Sequence, residues 1–381
     1  MIAKYFKNKT TNRFMAYEKE IKLCRRCWKR NAIKPKKQNI AEEKDCPLCL
    51  GAFLRINEIA EKIIKEIDSN PEVKTFSIGT QLPKGCEIIE ERIWDDADFS
   101  KVKSIKTELN TELGKIIEKN TKYKFNPDPD IRLIYDIKND KITKQITSVY
   151  LYGKYNKLQR GIRQTKKEDS KEESVEGLIE NVILKEIGGK KVVLHGSGRE
   201  DIDVLMLGEG RPFVIEIVEP KKRNFSEKEL TMLNKKINSE NEGKIKVNIM
   251  KYVDKEFVEI IKRAKFDKEY EAIVDLDKPI KKDELKLPES ILLFQRTPLR
   301  VLIRRSDLVR KRRIKKLQAE IIDGKTLKLR ILSQSGTYIK EFISGDEGRT
   351  KPSISSLLNR NAKCRELNVL KINSEWLDDF W

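Results

Sequence analysis

The chain has 381 residues, of which 37% are charged, and its 81 Lys+Arg against 61 Asp+Glu leave a formal charge of +20. At roughly 150 residues per domain, two or three domains are expected. No run approaches the roughly 18 apolar residues of a membrane span, and the N-terminal MIAKYFKNKTTNRF lacks the apolar core of a secretory signal, so a soluble cytoplasmic protein is expected.

The cationic surplus points to a polyanionic partner, nucleic acid being the commonest. Heat adaptation also enriches Lys and Glu, but it raises both signs and explains neither the imbalance nor its clustering. Residues 1–40 carry 13 basic and 2 acidic side chains. The segment Arg304–Lys316, RRSDLVRKRRIKK, has eight basic residues and one acid, Asp307.

In chain order, the first feature is Cys24-Arg25-Arg26-Cys27 followed, after 18 residues, by Cys46-Pro47-Leu48-Cys49. Two such knuckles bring four thiolates to one tetrahedral ion; zinc fits best and the site would be structural, with no open position. An iron–sulfur cluster and redox cysteines are the alternatives. Arg25, Arg26, Lys29 and Arg30 surround the knuckle, so a module that also touches phosphate is expected. The two remaining cysteines, Cys86 and Cys364, stand alone, which does not resemble a disulfide scaffold.

Ile56, Ala60, Ile63, Ile64 and Ile67 fit one helix face. Ile131–Ile137 and Ile142–Tyr152 read as strands joined by a turn at 138–141. The polar stretch 162–177 reads as a linker or exposed loop. Val175 to Ile187 is an amphipathic helix ended by Gly188-Gly189. Val204–Leu207 and Phe213–Val218, flanking Gly208-Glu209-Gly210-Arg211-Pro212, suggest a hairpin. Ser226 and Glu229 form a capping box; Ile245, Val247 and Ile249 alternate as in a strand; Asp323-Gly324 joins a second hairpin. The C-terminal block therefore reads as α+β with a largely antiparallel sheet.

The most unusual stretch is His195 to Ile217, HGSGREDIDVLMLGEGRPFVIEI. A strand ends, a glycine turn follows, and Arg199, Glu200, Asp201 and Asp203 cluster before the next strand. Loops between strands are where a rigid sheet presents catalytic groups. A solvated acidic turn is the bland alternative. Neither a phosphate loop nor a dinucleotide fingerprint is present, and with one histidine, chemistry that needs several is excluded.

Gly198-Arg199-Glu200-Asp201 resembles the G-R-x-D signature of pseudouridine synthases, and the wider stretch resembles the archaeal and eukaryotic tRNA enzymes called Pus-ten. Lys268-Glu269-Tyr270-Glu271-Ala272, Gln295 to Val301, Gly336 to Glu341 with Gly345 to Thr350, and Cys364 to Leu370 resemble further family blocks in the expected order. The cysteine pairs also match, and Tyr150 to Tyr155 resembles the end of the family's THUMP-containing region. The resemblance implies an α+β protein: a zinc module at 1–55, a THUMP-like α/β domain at 56–163, a polar linker at 164–175, and a pseudouridine synthase domain at 176–381 with a central sheet flanked by helices. It implies Asp201 as nucleophile, Tyr270 stacking on a flipped uracil, Lys340 pairing with Asp201 to keep it ionised, Ile339 and Leu367 as pocket walls, and Arg199 filling the space the base leaves or gripping a phosphate. Arg304, Arg305, Arg310, Lys311, Arg312 and Arg313 would hold RNA backbone. The implied substrate is uridine 54 or 55, or both, in the T-arm loop of tRNA. A structural zinc ion is expected, no organic cofactor, and a monomer by default. Whether Asp201 attacks base or sugar stays open. A non-catalytic zinc-dependent RNA-binding protein, or another THUMP-bearing tRNA-modifying enzyme, are the competing readings.

Overall fold

A computed structural model describes residues 21–70, 72–95, 100–167 and 172–377; the basic stretch 1–20 and positions 168–171 of the polar segment lie outside the described residues. The chain divides into two units, Met1–Thr147 and Ser148–Trp381. Among the described residues no helix is long and apolar enough to cross a membrane.

The first unit holds helices α1 (Arg25–Arg30), α2 (Ile56–Asp68), α3 (Lys84–Trp94) and α4 (Ile105–Asn120), and strands β1 (Thr75–Gln81), β2 (Lys124–Phe125), β3 (Ile131–Asp136) and β4 (Lys141–Ile146). The sheet order is β2-β1-β3-β4, parallel on both sides of β1 and antiparallel between β3 and β4. Helix α2 buries Ile59, Ala60, Ile63 and Ile67, one helical face. In the predicted turn after β3, the Lys138 and Asn139 N–H groups donate to Asp136 Oδ1 at 3.0 Å. The four paired cysteines share one core with Ile59, Phe76 and Leu109. The described part of the expected separate module at 1–55, residues 21–55, is therefore part of this unit, because a six-residue helix and its turns have no core of their own.

The second unit holds helices α5 (Val175–Glu186), α6 (Glu227–Glu240), α7 (Lys255–Arg263), α8 (Ile339–Ser344) and α9 (Ile354–Leu358). Its strands are β5 (Val149–Lys157), β6 (Lys191–Gly196), β7 (Val204–Val218), β8 (Ile245–Tyr252), β9 (Lys268–Leu276), β10 (Ile291–Arg296), β11 (Val309–Asp323), β12 (Thr326–Ser333), β13 (Thr350–Lys351) and β14 (Ala362–Ile372). They form one sheet in the order β13-β10-β11-β12-β9-β14-β7-β5-β8, with β6 also on β7. All pairs are antiparallel except β14 with β7. Helix α5 is capped by Ser174, and α6 by Ser226 in the expected full capping box with Glu229.

Three expectations change. Strand β5, placed with the first domain, is hydrogen-bonded between β7 and β8 of the second; the boundary falls at Thr147, and the predicted strand 142–152 is two strands in two units. The polar segment is not an interdomain linker but a loop whose ends close on themselves: the Arg163 N–H donates to Glu173 O at 3.0 Å and the Val175 N–H to Arg163 O at 2.8 Å. The predicted hairpin at 208–212 is one continuous strand, β7. A Cβ at Gly208, where φ is +60°, would lie 2.0 Å from the Leu370 carbonyl oxygen, so glycine here serves a close backbone approach within a bent strand rather than a chain reversal.

Candidate active site

Strand β7 builds the site. Along one edge it pairs β5. Along the other it pairs β14 at Val204–Met206 and β6 at Phe213–Val218. The edge is therefore split, and the loop 197–203 runs between the end of β6 and the start of β7 beside that gap. Gly198 gives the bend its positive φ of +77°, a conformation that a Cβ would strain.

The loop is held from behind by a buried polar network. Arg211 and Glu200, each with side chains 1% exposed, pair at 2.8 Å. Arg211 also donates to Ser197 O at 2.7 Å. Glu200 accepts the Tyr155 hydroxyl at 2.9 and 3.0 Å, and Gln164 donates to the Tyr155 oxygen and to Gly198 O, both at 2.9 Å. The buried Lys157 ammonium donates to the carbonyls of Ile162 and Asp201 at 2.9 Å and of Ile202 at 3.2 Å. Burial lowers its pKa to about 8, against the pull of Glu200 and Asp203. Arg160 ties the loop's far end to β14 through Asp203 O at 2.6 Å and Leu367 O at 3.0 Å. A loop so pinned has its backbone groups satisfied and its carboxylates fixed in place.

Asp201, half-exposed, faces two cations from two other elements. Arg300, in the helical turn Leu299–Arg304 after β10, reaches it at 3.1 Å and pairs with the buried Glu341 of α8 at 2.6 Å. Lys340, also on α8, lies 3.4 Å from Asp201 but bonds Asp203 more closely, at 2.7 and 2.8 Å. Burial raises the Asp203 carboxyl, yet Lys340 outweighs it and the group sits below its ordinary range. Glu341, Arg300, Asp201, Lys340 and Asp203 thus form a chain of alternating charge. The buried Gln295 orients this side of the site: its amide donates to Tyr338 O at 2.9 Å and its oxygen accepts the Tyr338 N–H at 3.0 Å, immediately before α8.

Tyr270 lies on β9, partly exposed. Burial, opposed by Arg211 and reinforced by Asp201 and Glu200, pushes its hydroxyl up to about 12, so it is a neutral phenol at physiological pH. Leu367 is opposite Ala272, and Val369 opposite Tyr270, which puts Leu367 on the Tyr270 face of the sheet. Ile339 and Leu367 are 4% and 6% exposed. Arg199 is exposed on the loop.

Of the predicted RNA-contacting residues, Lys311 and Arg313 alternate with Arg310 and Arg312 along β11, the first pair exposed and the second half-buried. Arg310 donates to Thr297 Oγ1 at 2.8 Å, Arg312 to Gly336 O at 3.2 Å, and Arg305 to the Tyr338 hydroxyl at 2.9 Å. Arg304 is exposed at the end of the 299–304 turn. Sequence reasoning missed Arg300, Asp203 as a Lys340 partner, and the Arg211–Glu200 and Lys157 supports. Arg300 lay inside the quoted block at 295–301, but a lone arginine there carries no mark of its partner.

In the first unit, the Sγ atoms of Cys24, Cys27, Cys46 and Cys49 all lie within 4.8 Å of one another. Two pairs, Cys24–Cys49 and Cys27–Cys46, are 3.7 Å apart. A tetrahedron with arms of about 2.3 Å has edges of about 3.8 Å, so the four sulfurs can hold a metal ion. The Cys24 N–H points at Cys46 Sγ at 3.4 Å, and Arg30 at Cys27 Sγ at 3.6 Å. Arg30 is buried and pairs with Glu108 and Glu90. Arg26 pairs with Glu108 and Glu112 and lies over the Phe53 ring. The expectation that both also touch phosphate is thereby corrected, because their charges are already matched within the unit. Arg25 and Lys29 remain exposed.

Two family models match: that for the Pus10 C-terminal region over residues 150–373 and that for the archaeal Pus10 THUMP domain over residues 59–136. The chain is 39% identical over 343 residues to the tRNA pseudouridine synthase Pus10 of Pyrococcus furiosus, covering 89% of this chain and 85% of that one. It is 35% identical over 353 residues to that of Methanothrix thermoacetophila, covering 87% and 77%. Among solved structures, a Cbf5-Nop10-Gar1 complex overlaps weakly, with a TM-score of 0.32, 17% identity, and coverage of 57% of this chain and 48% of that one. On the sequence matches, which run through both units, this chain belongs to the Pus10 family of tRNA pseudouridine synthases.

Proposed function

We propose that the chain isomerises uridine 54, uridine 55 or both in the T-arm loop of tRNA, with the Asp201 carboxylate as nucleophile. The observation that carries this reading is a half-exposed carboxylate, on a rigidly backed loop, held by Arg300 at 3.1 Å and Lys340 at 3.4 Å. In the reaction the N1–C1′ bond breaks and the C5–C1′ bond forms; a proton leaves C5 and N1 gains one, so the product is an isomer and no redox cofactor is called for. The target base first leaves its stack, which an RNA loop permits at low cost. Tyr270 receives the uracil as a neutral aromatic face, Ile339 and Leu367 close the apolar wall, and Arg199 occupies the space left by the base. Asp201 supplies the carboxylate for covalent catalysis; Arg300 and Lys340 fix its direction from two sides.

Arg304, Arg305, Arg310, Lys311, Arg312 and Arg313 contribute phosphate-facing charge. The four cysteines hold a structural zinc ion, which would supply folding energy to the first unit and take no part in the isomerisation. The protein acts in the cytoplasm as a monomer.

The test is to incubate T-arm RNA with wild-type and Asp201→Ala protein and map pseudouridine at positions 54 and 55. Product with wild type alone is expected. Product with both removes Asp201 from the chemistry, and product with neither leaves an RNA-binding protein.

A further inference from the structure

The strands that support Arg300 carry a second feature, on the opposite face from Gln295. Along β10 the side chains alternate: Leu293 and Gln295 are 0% and 1% exposed, while Leu292 and Phe294 are 39% and 50% exposed. Phe294 stands directly opposite Lys311 on β11 and Lys351 on β13. Leu292 stands opposite Arg313, and the exposed Val309 opposite Arg296. Cross-strand partners share a face, so an open aromatic ring lies between two lysines, with an arginine one pair away. Among the described residues Arg296 is matched by Asp307 at 2.8 Å, but no carboxylate pairs with Lys311, Arg313 or Lys351.

Single exposed apolar residues are ordinary. Three on one face of two adjacent strands, ringed by unmatched cations on a chain of charge +20, are a different case. A protein partner needs a larger apolar area with its rim charges matched; a single-stranded nucleic acid needs an aromatic face for a base and cations for the flanking phosphates. We propose that this face is a stacking platform for an unpaired base of the bound tRNA, with Phe294 beneath the base and Lys311, Arg313 and Lys351 on the adjoining phosphates. This deepens, and rests on, the tRNA reading above. The platform is rigid: Gln295, the next residue, is buried and holds the backbone just ahead of α8, which carries Lys340. A base seated on Phe294 would therefore register the RNA against the frame of the catalytic loop.

The test is tRNA binding by the full chain, measured by fluorescence anisotropy across a salt series, for wild type, Phe294→Ala, Phe294→Leu, Phe294→Trp and Lys351→Ala. Phe294→Ala and Phe294→Leu are expected to weaken binding on the order of 10- to 100-fold with the salt slope unchanged, since stacking releases no counterions. Phe294→Trp restores binding. Lys351→Ala reduces the slope by about 0.7, as one lost single-strand phosphate contact does. Equal affinity of wild type and Phe294→Ala overturns the platform, as it would if a protein covered this face. Full binding by Phe294→Leu also overturns it, because generic apolar cover would then suffice. If wild type itself fails to bind tRNA, the tRNA reading falls instead, and the two failures are thereby told apart.

Discussion

Replacing Arg211 by methionine tests whether the loop bearing Asp201 is held by a buried charge pair. Arg211 and Glu200 are each 1% exposed, and their 2.8 Å contact is the only ion pair either makes among the described residues. Arg211→Met removes the cation and leaves Glu200 with the Tyr155 hydroxyl as its remaining partner. Breaking one side of a buried pair costs about 3–5 kcal/mol, because an uncompensated charge stays inside. For a domain of about 150–250 residues, each kcal/mol moves the melting temperature by about 2–4 °C, so a drop of roughly 6–20 °C is expected. Circular dichroism melts at pH 7 read this directly. The double variant Arg211→Met with Glu200→Leu supplies the control. Apolar replacement of a whole buried pair is often neutral or stabilising, so most of the lost stability should return. Its activity should not, since the tie from Arg211 to Ser197 O is also gone and the carboxylate is no longer fixed. A single variant melting within about 2 °C of wild type, or a double variant less stable than either single, refutes the reasoning.

Lys340→Ala should cut the rate of pseudouridine formation on the order of 100-fold, the usual cost of a catalytic group displaced by about 1 Å, while tRNA affinity stays within about twofold; equal losses in both would make Lys340 a phosphate contact. Glu216 is held down to about 2 by the His195 hydrogen bond, with burial opposing and Ser148 and Tyr150 assisting. Its folded pKa lies below its ordinary value, so its contribution is fully present above about pH 4.5 and is lost as the pH falls towards 2. Urea titrations between pH 5.5 and 2.5 should show the stability gap between wild type and Glu216→Gln closing over that window; a constant gap counts against the assignment. Chelation should unfold the Met1–Thr147 unit and leave the second unit's melt in place, with metal analysis of native protein finding about one zinc per chain; native protein without zinc or iron removes the metal site.

What could be read from sequence was whatever a few neighbouring residues decide. Helix α5, the capping box at Ser226 and Glu229, and the turn at Asp323-Gly324 are each settled within a span of some four to twelve residues, and they fold as read. Asp201 belongs to the same class, because the glycine bend that presents it is local. Its surroundings do not. Arg300 lies 99 positions from Asp201, and Lys340 lies 137 from Asp203, so no pattern near the loop could name its counter-charges. Lys340 is legible only through its resemblance to a family block, and the pairing with Asp201 which that resemblance implies is joined by a closer one with Asp203. The same reason explains β7. Gly208-Glu209-Gly210 has the composition of a chain reversal, and only the carbonyls of Leu370 and Tyr155, brought up by distant strands, show that the glycines admit close neighbours. It also explains Arg26 and Arg30, which look like phosphate ligands until Glu90, Glu108 and Glu112 arrive from later helices. In each case residue type marks the group and long-range packing assigns its partner. The test of the site therefore lies less in Asp201 itself than in Arg300: Arg300→Ala should leave the loop folded yet slow the chemistry, whereas unchanged turnover would mean that the pairing seen across 99 residues is incidental.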